Sequence, residues 1–440
     1  MDFYELRIVD GPLAVACWTL AISGAVLLVA LAASPSLRSW GRPLIILGGA
    51  IVVTVAVTGV VHWLLVDVMN VFPEDLPVDV LVASGIGVFG IVLAVIAVVR
   101  LGVARRAWHR RVGAVASAAA MSLLAAQLVN AYFGLNLTFG DLAGVSLSRI
   151  RPLEGQLERA AAPTVSLAGW SPRAGLPPNG ELRSVQIPAS TSGFTARYAY
   201  VYLPPAYFAP NRPELPVLLL IPGQPGNPSD WLSGGRLRHK LDRFAAAHGG
   251  VAPVAVVVDP NGSPSANTMC MDTKAGRAET YLVGDVVPWI RTHLSVTVDP
   301  RFWAAGGFSY GGTCSVQLLA KHPEIVSSAL GFAAEQEPAL AKDRTKTIDL
   351  AFDGDTAAFE EQIPARQFAE RHHDGLLLFL AAGSRDQDFQ RQATIVAGQA
   401  RESGVDVHTA LADGEGHSWE MIAKTWDAGM ALLAARWGLA

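Results

Sequence analysis

Four apolar stretches open the chain, and they restrict its fold more than any other feature. They cover about residues 12–33, 43–66, 78–99 and 112–133. Each has the roughly 20 residues needed to cross a hydrocarbon core as a helix. Segments such as Ile51-Val52-Val53-Thr54-Val55-Ala56-Val57 carry no polar face, which argues against helices buried in a soluble domain. A four-helix transmembrane bundle is therefore expected over 1–135.

The connections between the stretches carry an orientation signal. Arg38 and Arg42 lie in the first, and Arg100, Arg105, Arg106, Arg110 and Arg111 in the third. The second has Asp67, Glu74, Asp75 and Asp79 without a Lys or Arg. Positive connections stay in the cytoplasm, so both termini and the second connection are expected outside. This makes the chain a multi-pass plasma-membrane protein with its downstream part on the extracytoplasmic side. Ala30-Leu31-Ala32 resembles a signal-cleavage site, but Asp2, Glu5 and Asp10 against a single Arg7 are the wrong charge for a signal peptide. His62 and Trp63, near the outer end of the second stretch, read as a polar residue beside an aromatic interface anchor. A functional buried histidine is the alternative.

Composition agrees with this division. The chain is 51% hydrophobic and 16% charged, with the apolar excess in its first third. A net charge of -4 gives no electrostatic footprint for a nucleic-acid partner. Three cysteines are too few for a disulfide scaffold. No Cys/His spacing reads as a zinc site, and neither metal nor cofactor is expected. Residues 136–180 mix Arg149 and Arg151 with Pro152, Pro163, Pro172, Pro177 and Pro178, and read as a tether with little regular structure.

From 181 to 440 the pattern changes. Strand signals at 184–188, 198–203, 217–221, 255–258, 302–306, 327–331, 376–381 and 407–410 alternate with helix signals at 235–248, 279–294, 313–322, 365–372, 390–403 and 419–439. Short apolar strands between amphipathic helices imply an α/β fold, a mostly parallel sheet covered on both faces. Its site is expected beyond the carboxyl ends of the strands.

The chemistry-bearing residues fall at those ends. Gly307-Phe308-Ser309-Tyr310-Gly311-Gly312 follows a strand signal and precedes a helix signal, the context of a nucleophile elbow. Its bland reading is a glycine-rich turn before an ordinary helix. Asp386 and Asp388 follow the strand at 376–381, and His417 follows the strand at 407–410. Alone, each reads as a loop residue. Together, the order Ser309, Asp386, His417 is the nucleophile–acid–base order of α/β-hydrolases. Ser309 needs a neighbouring base, His417 has an intrinsic pKa suited to that task, and Asp386 would hold the imidazole tautomer. Asp388 stays open as a rival acid, with Glu335 and Glu337 more distant candidates. The backbone amides of Tyr310 and of Gln224, in the loop Pro222-Gly223-Gln224-Pro225-Gly226, are the candidate oxyanion donors. For the second, a plain turn is the alternative.

With these motifs in place, the part from 181 to the end resembles the esterase-D and mycolyltransferase family of α/β-hydrolases. The resemblance rests on Ile221-Pro222-Gly223-Gln224, Glu279-Thr280-Tyr281-Leu282, Val287-Pro288-Trp289-Ile290, the Ser309 motif and Gly416-His417-Ser418-Trp419. The mycolyltransferase branch uses a glutamate as its acid, whereas this chain offers Asp386, which favours the broader esterase branch. The N-terminal bundle is similar to that of actinobacterial membrane hydrolases. Cys17, in the first stretch, reads as a small apolar residue. Cys270 and Cys314 can oxidise if this part lies outside the cytoplasm; two buried thiols are the alternative. The function so implied is a membrane-anchored serine esterase or acyltransferase acting on lipid or glycolipid esters of the cell envelope. Rivals are hydrolysis of aminoacyl-lipid esters, mycolyl-type transfer to a sugar, and a non-enzymatic receptor or assembly factor on a hydrolase scaffold. A transporter is disfavoured, because no charged residue lies deep within the four stretches.

Overall fold

The structure, a computed structural model, describes residues 3–33, 41–102, 107–171, 175–370 and 372–439. Asp2, Arg38, Arg105, Arg106 and Pro172, used above, lie outside the described residues, as does the side chain of Arg42. The chain divides into two compact units, Met1–Val145 and Ser146–Ala440.

The first unit is built on four helices: α1 (Gly11–Ala33), α2 (Gly41–Trp63), α3 (Val78–Leu101) and α4 (Trp108–Phe133). All four are long and apolar enough to cross a membrane. Small residues let them approach. A Cβ on Gly24 of α1 would stand 3.1 Å from the Ser117 backbone of α4, and one on Gly90 of α3 would stand 2.9 Å from Met121. Close approach through small residues is how helices associate where lipid offers no hydrophobic driving force. Leu28, Leu93 and Leu124 fill the interior, whereas Ile45, Val52, Val82 and Val95 face outward. His62 is tied to the connection after its helix, with Nε2 3.1 Å from Asp75 Oδ1, and Trp63 is exposed beside it.

The second unit is a nine-stranded sheet. In chain order its strands are β1 (Arg151–Pro152), β2 (Glu181–Val185), β3 (Ala199–Leu203), β4 (Val217–Ile221), β5 (Val254–Val257), β6 (Trp303–Phe308), β7 (Ser328–Phe332), β8 (Leu377–Gly383) and β9 (Asp406–Ala412). Their order across the sheet is β1-β2-β3-β5-β4-β6-β7-β8-β9. Only β3 runs against its neighbours; the other pairings are parallel. Every residue of β4 and β6 is buried, because helices cover both faces. Each large apolar side chain so buried contributes about 1.5–3 kcal/mol relative to exposure. This is the α/β-hydrolase architecture, preceded in the chain by four apolar helices.

Two expectations need correction. Among its described residues, the stretch 136–180 is not a loose tether. Residues up to 145 belong to the first unit, where Thr138 caps a short helical turn. From 146 onward the chain is bound to the second unit: β1 pairs with β2, and Leu157 enters the core. The Arg212 guanidinium donates to the carbonyls of Gln156, Leu157 and Glu158 at 2.8, 3.1 and 2.7 Å. Tyr207 Oη donates to the Leu157 carbonyl at 2.7 Å. The stretch lacks periodicity because its order comes from distant donors rather than from a repeating backbone pattern. The second correction concerns the segment between β7 and β8, which holds helices Arg344–Phe352 and Thr356–Glu360 that the periodicity does not signal. Asp343 and Asp355 cap them, so local capping carries what the pattern lacks.

Candidate active site

Ser309 stands between β6 and the helix Tyr310–Lys321, at φ 55° and ψ -121°. A non-glycine residue pays strain at positive φ and keeps it only where its surroundings enforce it. The enforcement is visible. Ser309 N donates to the Phe332 carbonyl at 2.7 Å, and Thr313 N donates to the Ser309 carbonyl at 3.0 Å. A Cβ on Gly307 would fall 2.0 Å from the Gly311 carbonyl oxygen, and one on Gly311 would fall 2.3 Å from that of Ile221. Glycine is therefore required at both positions for the tight strand-to-helix turn.

Asp386 caps the helix Gln387–Glu402 directly after β8. One carboxylate oxygen accepts from Phe389 N at 3.4 Å. The other lies 3.1 Å from His417 Nδ1. A carboxylate only accepts, so Nδ1 carries the hydrogen of this bond. Both side chains are nearly buried, at 12% exposure for His417 and 11% for Asp386. The loops that carry them are locked together across 31 residues of sequence: Arg385 N donates to the Glu415 carbonyl at 2.8 Å, and Gly414 N to Ser384 Oγ at 2.8 Å.

The imidazole sits between two rings. Phe308, the residue before Ser309, has its centroid 4.8 Å away, and Phe389 4.4 Å away. Phe308 thus joins the base to the elbow, while Phe389 joins it to the helix of the acid. Trp419 packs on Phe308 and on Trp231 at 5.1 and 5.0 Å. Periodicity marks these residues as core and says nothing of their contact with His417.

The other acids lie elsewhere. Asp388 is 74% exposed and pairs with Arg391 one turn along its own helix. Glu337 pairs with Arg344 at 3.1 Å. Glu335 is buried and accepts from Thr313 Oγ1 at 3.3 Å.

The Pro222–Gly226 loop passes beside the elbow. A Cβ on Gly223 would be 3.9 Å from that of Ser309. The Gln224 side chain turns away, with Nε2 donating to the Ser265 carbonyl at 3.2 Å, and the Gln224–Pro225 peptide is cis. Tyr310 sends its phenol the other way. Its hydroxyl lies 3.0 Å from Thr268 Oγ1 and accepts from Cys270 N at 3.1 Å. Burial pushes that phenol well above its ordinary pKa, so it stays a neutral hydroxyl. No group of three or more His, Cys, Asp or Glu is arranged to hold a metal among the described residues.

A disulfide joins Cys270 to Cys314, with 5.6 Å between Cα atoms. Cys314 lies in the helix that leaves Ser309, so the bridge pins the 260–271 loop to the elbow's own helix. Cys17 is a free thiol in α1. Replacing Cys270 and Cys314 together with alanine is expected to cost the second unit about 2–4 kcal/mol, since the bridge closes a loop of 44 residues. Thermal melts of wild type with and without reductant, against the double variant, measure this. Quantitative alkylation of both thiols in unreduced native protein would refute the bridge.

The family described as "Putative esterase" matches residues 194–432, more than half of the chain. A relative in Corynebacterium glutamicum, described as an uncharacterized protein, is 37% identical over 259 residues. That alignment covers 55% of this chain and 60% of the relative, so the chain spans about three fifths of the relative's length. Among solved structures, a ferulic acid esterase aligns with TM-score 0.50 at 18% identity, over 59% of this chain and 99% of that one. An S-formylglutathione hydrolase from Agrobacterium tumefaciens aligns at 0.49 and 16% identity, over 59% and 96%. At such identities the ferulic acid esterase shares the fold alone. By the span of the family match, the chain belongs to this esterase family.

Proposed function

We propose that the chain is a membrane-anchored serine esterase or acyltransferase with Ser309 as nucleophile, His417 as base and Asp386 as the acid that orients it. The observation that carries this reading is the Asp386–His417 contact at 3.1 Å, with the imidazole seated on Phe308 next to the strained Ser309. With Nδ1 hydrogen-bonded to Asp386, the His417 Nε2 lone pair is left to take the Ser309 proton as Oγ adds to the ester carbonyl. The amides of Gln224 and Tyr310 receive the oxyanion, helped by the N-terminus of the Tyr310–Lys321 helix. Protonated His417 then gives its proton to the departing alcohol, leaving an acyl group on Ser309. Water or another alcohol attacks next, with His417 again as base, and the choice between them separates hydrolysis from transfer. Mass spectrometry of the full-length protein treated with a fluorophosphonate should place the adduct on Ser309. An adduct on any other residue, or none on a folded protein, would overturn the assignment.

We assign the site to the extracytoplasmic side. The connection charges support this, and so does the Cys270–Cys314 bridge, since such bridges persist outside the reducing cytoplasm. The substrates that suit this placement are ester-linked envelope lipids. A C-terminal alkaline-phosphatase fusion should be active and a cytoplasmic fluorescent fusion dark. A bright fluorescent fusion with a dead phosphatase would reverse the topology.

A further inference from the structure

The loop that carries Gln224 leaves the sheet at Ile221, the last residue of β4. Two residues past Gln224, its backbone is held from both sides. Gly226 N donates to the Pro264 carbonyl at 2.9 Å, and the Gly226 carbonyl accepts from Arg197 Nη1 at 3.0 Å. The same nitrogen donates to Asn227 Oδ1 at 2.6 Å. Arg197 lies just before β3, whose antiparallel pairing sets Tyr200 opposite Val257 of β5. That register brings Arg197 to Asp259, two residues past the end of β5. Asp259 is fully buried. It accepts from Arg197 N, Nε and Nη2 at 2.7, 2.9 and 2.7 Å, and from Asn261 N and Gly262 N at 3.1 and 3.0 Å.

Nε and Nη2 form a two-pronged pair that neutralises the carboxylate. Nη1 is not needed for that pair, and it is spent on the Gln224 loop. The guanidinium is planar, so its nitrogens keep fixed directions relative to one another. The position of Asp259 is thereby passed on to Gly226. The other candidate oxyanion donor hangs on the same segment. Asp259 opens the 259–271 loop, which holds the Tyr310 hydroxyl through Thr268 and Cys270. The Cys270–Cys314 bridge ties that loop to the helix leaving Ser309, and the Ser265 carbonyl accepts from the Gln224 side chain. An oxyanion hole works only when its donors are already placed around the developing charge. Here the Gln224 and Tyr310 amides come from two different strand ends, and the 259–271 loop with Arg197 spans them.

We propose that Arg197 is a positioning residue for the oxyanion hole: clamped on Asp259, its guanidinium sets the Gln224 loop against the elbow. It acts through the loop and not on the substrate, and this role rests on the esterase reading. The test uses the full-length protein in detergent. Arg197→Lys keeps a positive charge for Asp259, but one ammonium cannot reproduce the fork that also reaches Gly226. It is expected to lower kcat for p-nitrophenyl butyrate by roughly 10- to 100-fold, with KM changed less than about twofold, because a displaced donor is felt in the transition state. A second readout separates positioning from a general loosening of the fold. With 1,1,1-trifluoro-2-heptanone, Ser309 Oγ adds to the carbonyl carbon, the serine proton passes to His417, and the ketone oxygen becomes the oxyanion. Its inhibition constant should rise by about the same factor as kcat falls. Inhibition by 2-heptanol, which forms no adduct, should not change. The double variant Arg197→Met/Asp259→Asn removes both charges together, so that neither is left buried alone, and should show the same split. A folded variant of either kind with kcat within about threefold of wild type would overturn the proposal. So would equal weakening of the ketone and the alcohol, and loss of the fold in both variants, seen in thermal melts, would assign Arg197 to the fold instead. A wild type that neither turns over the ester nor takes up a fluorophosphonate sinks the esterase reading, and the role of Arg197 with it; an active wild type beside active, folded variants sinks only the role of Arg197.

Discussion

Ser309→Ala is expected to lower turnover of a short p-nitrophenyl ester by on the order of 10⁶, the effect of removing the nucleophile from a serine triad. No other group in the site can replace Oγ. The hydroxyl of Tyr310 is held on Thr268 and Cys270, away from the elbow, and its pKa is raised by burial. Thr313 is engaged with Glu335. The variant should fold, because alanine removes one oxygen and keeps the Ser309 backbone bonds to Phe332 and Thr313. The check is turnover and fluorophosphonate labelling, with a thermal melt as folding control. A folded Ser309→Ala protein that still turns over the ester within a few-fold of wild type would remove Ser309 from the mechanism.

Asp386→Asn is expected to lower the same turnover by about 10³–10⁴, or about 4–5.5 kcal/mol of transition-state stabilisation. Asparagine keeps the shape of the residue and remains a good helix cap, so the bond from Phe389 N and the fold should survive. What changes is the hydrogen bond at 3.1 Å. An amide can donate to Nδ1, which shifts the imidazole hydrogen to Nε2 and occupies the atom that must accept the serine proton. Asp388→Asn is the matched control. Its carboxylate is exposed and spent on Arg391, so it should change turnover less than about threefold, in line with the small worth of an exposed ion pair. An inactive, folded Asp388→Asn beside an active Asp386→Asn would reverse the assignment. If neither matters, buried Glu335 becomes the next acid to test.

Much of the architecture is legible in the sequence. The four apolar stretches, the strand–helix alternation and the strand-end positions of Ser309, Asp386 and His417 all follow from the order of residue types, because they depend on periodicity and on neighbours a few positions away. The glycines at 307 and 311 were legible too, since a tight elbow leaves no room for a side chain. Short helices such as Arg344–Phe352 were not, because caps rather than an apolar stripe hold them.

Residue types and their order alone nominate Ser309, Asp386 and His417 as the candidate catalytic set. They do not decide between Asp386 and Asp388, two positions apart on the same turn. The tertiary structure adds that β8 and β9 pair and that Asp386, rather than Asp388, lies 3.1 Å from His417. Nor does residue order decide whether Cys270 and Cys314 meet, or that Arg212 and Tyr207 hold residues 156–158 in place. These are contacts between residues 44 to 56 positions apart. Their distances are set by how the sheet and its helices pack, and local propensity carries no information about them.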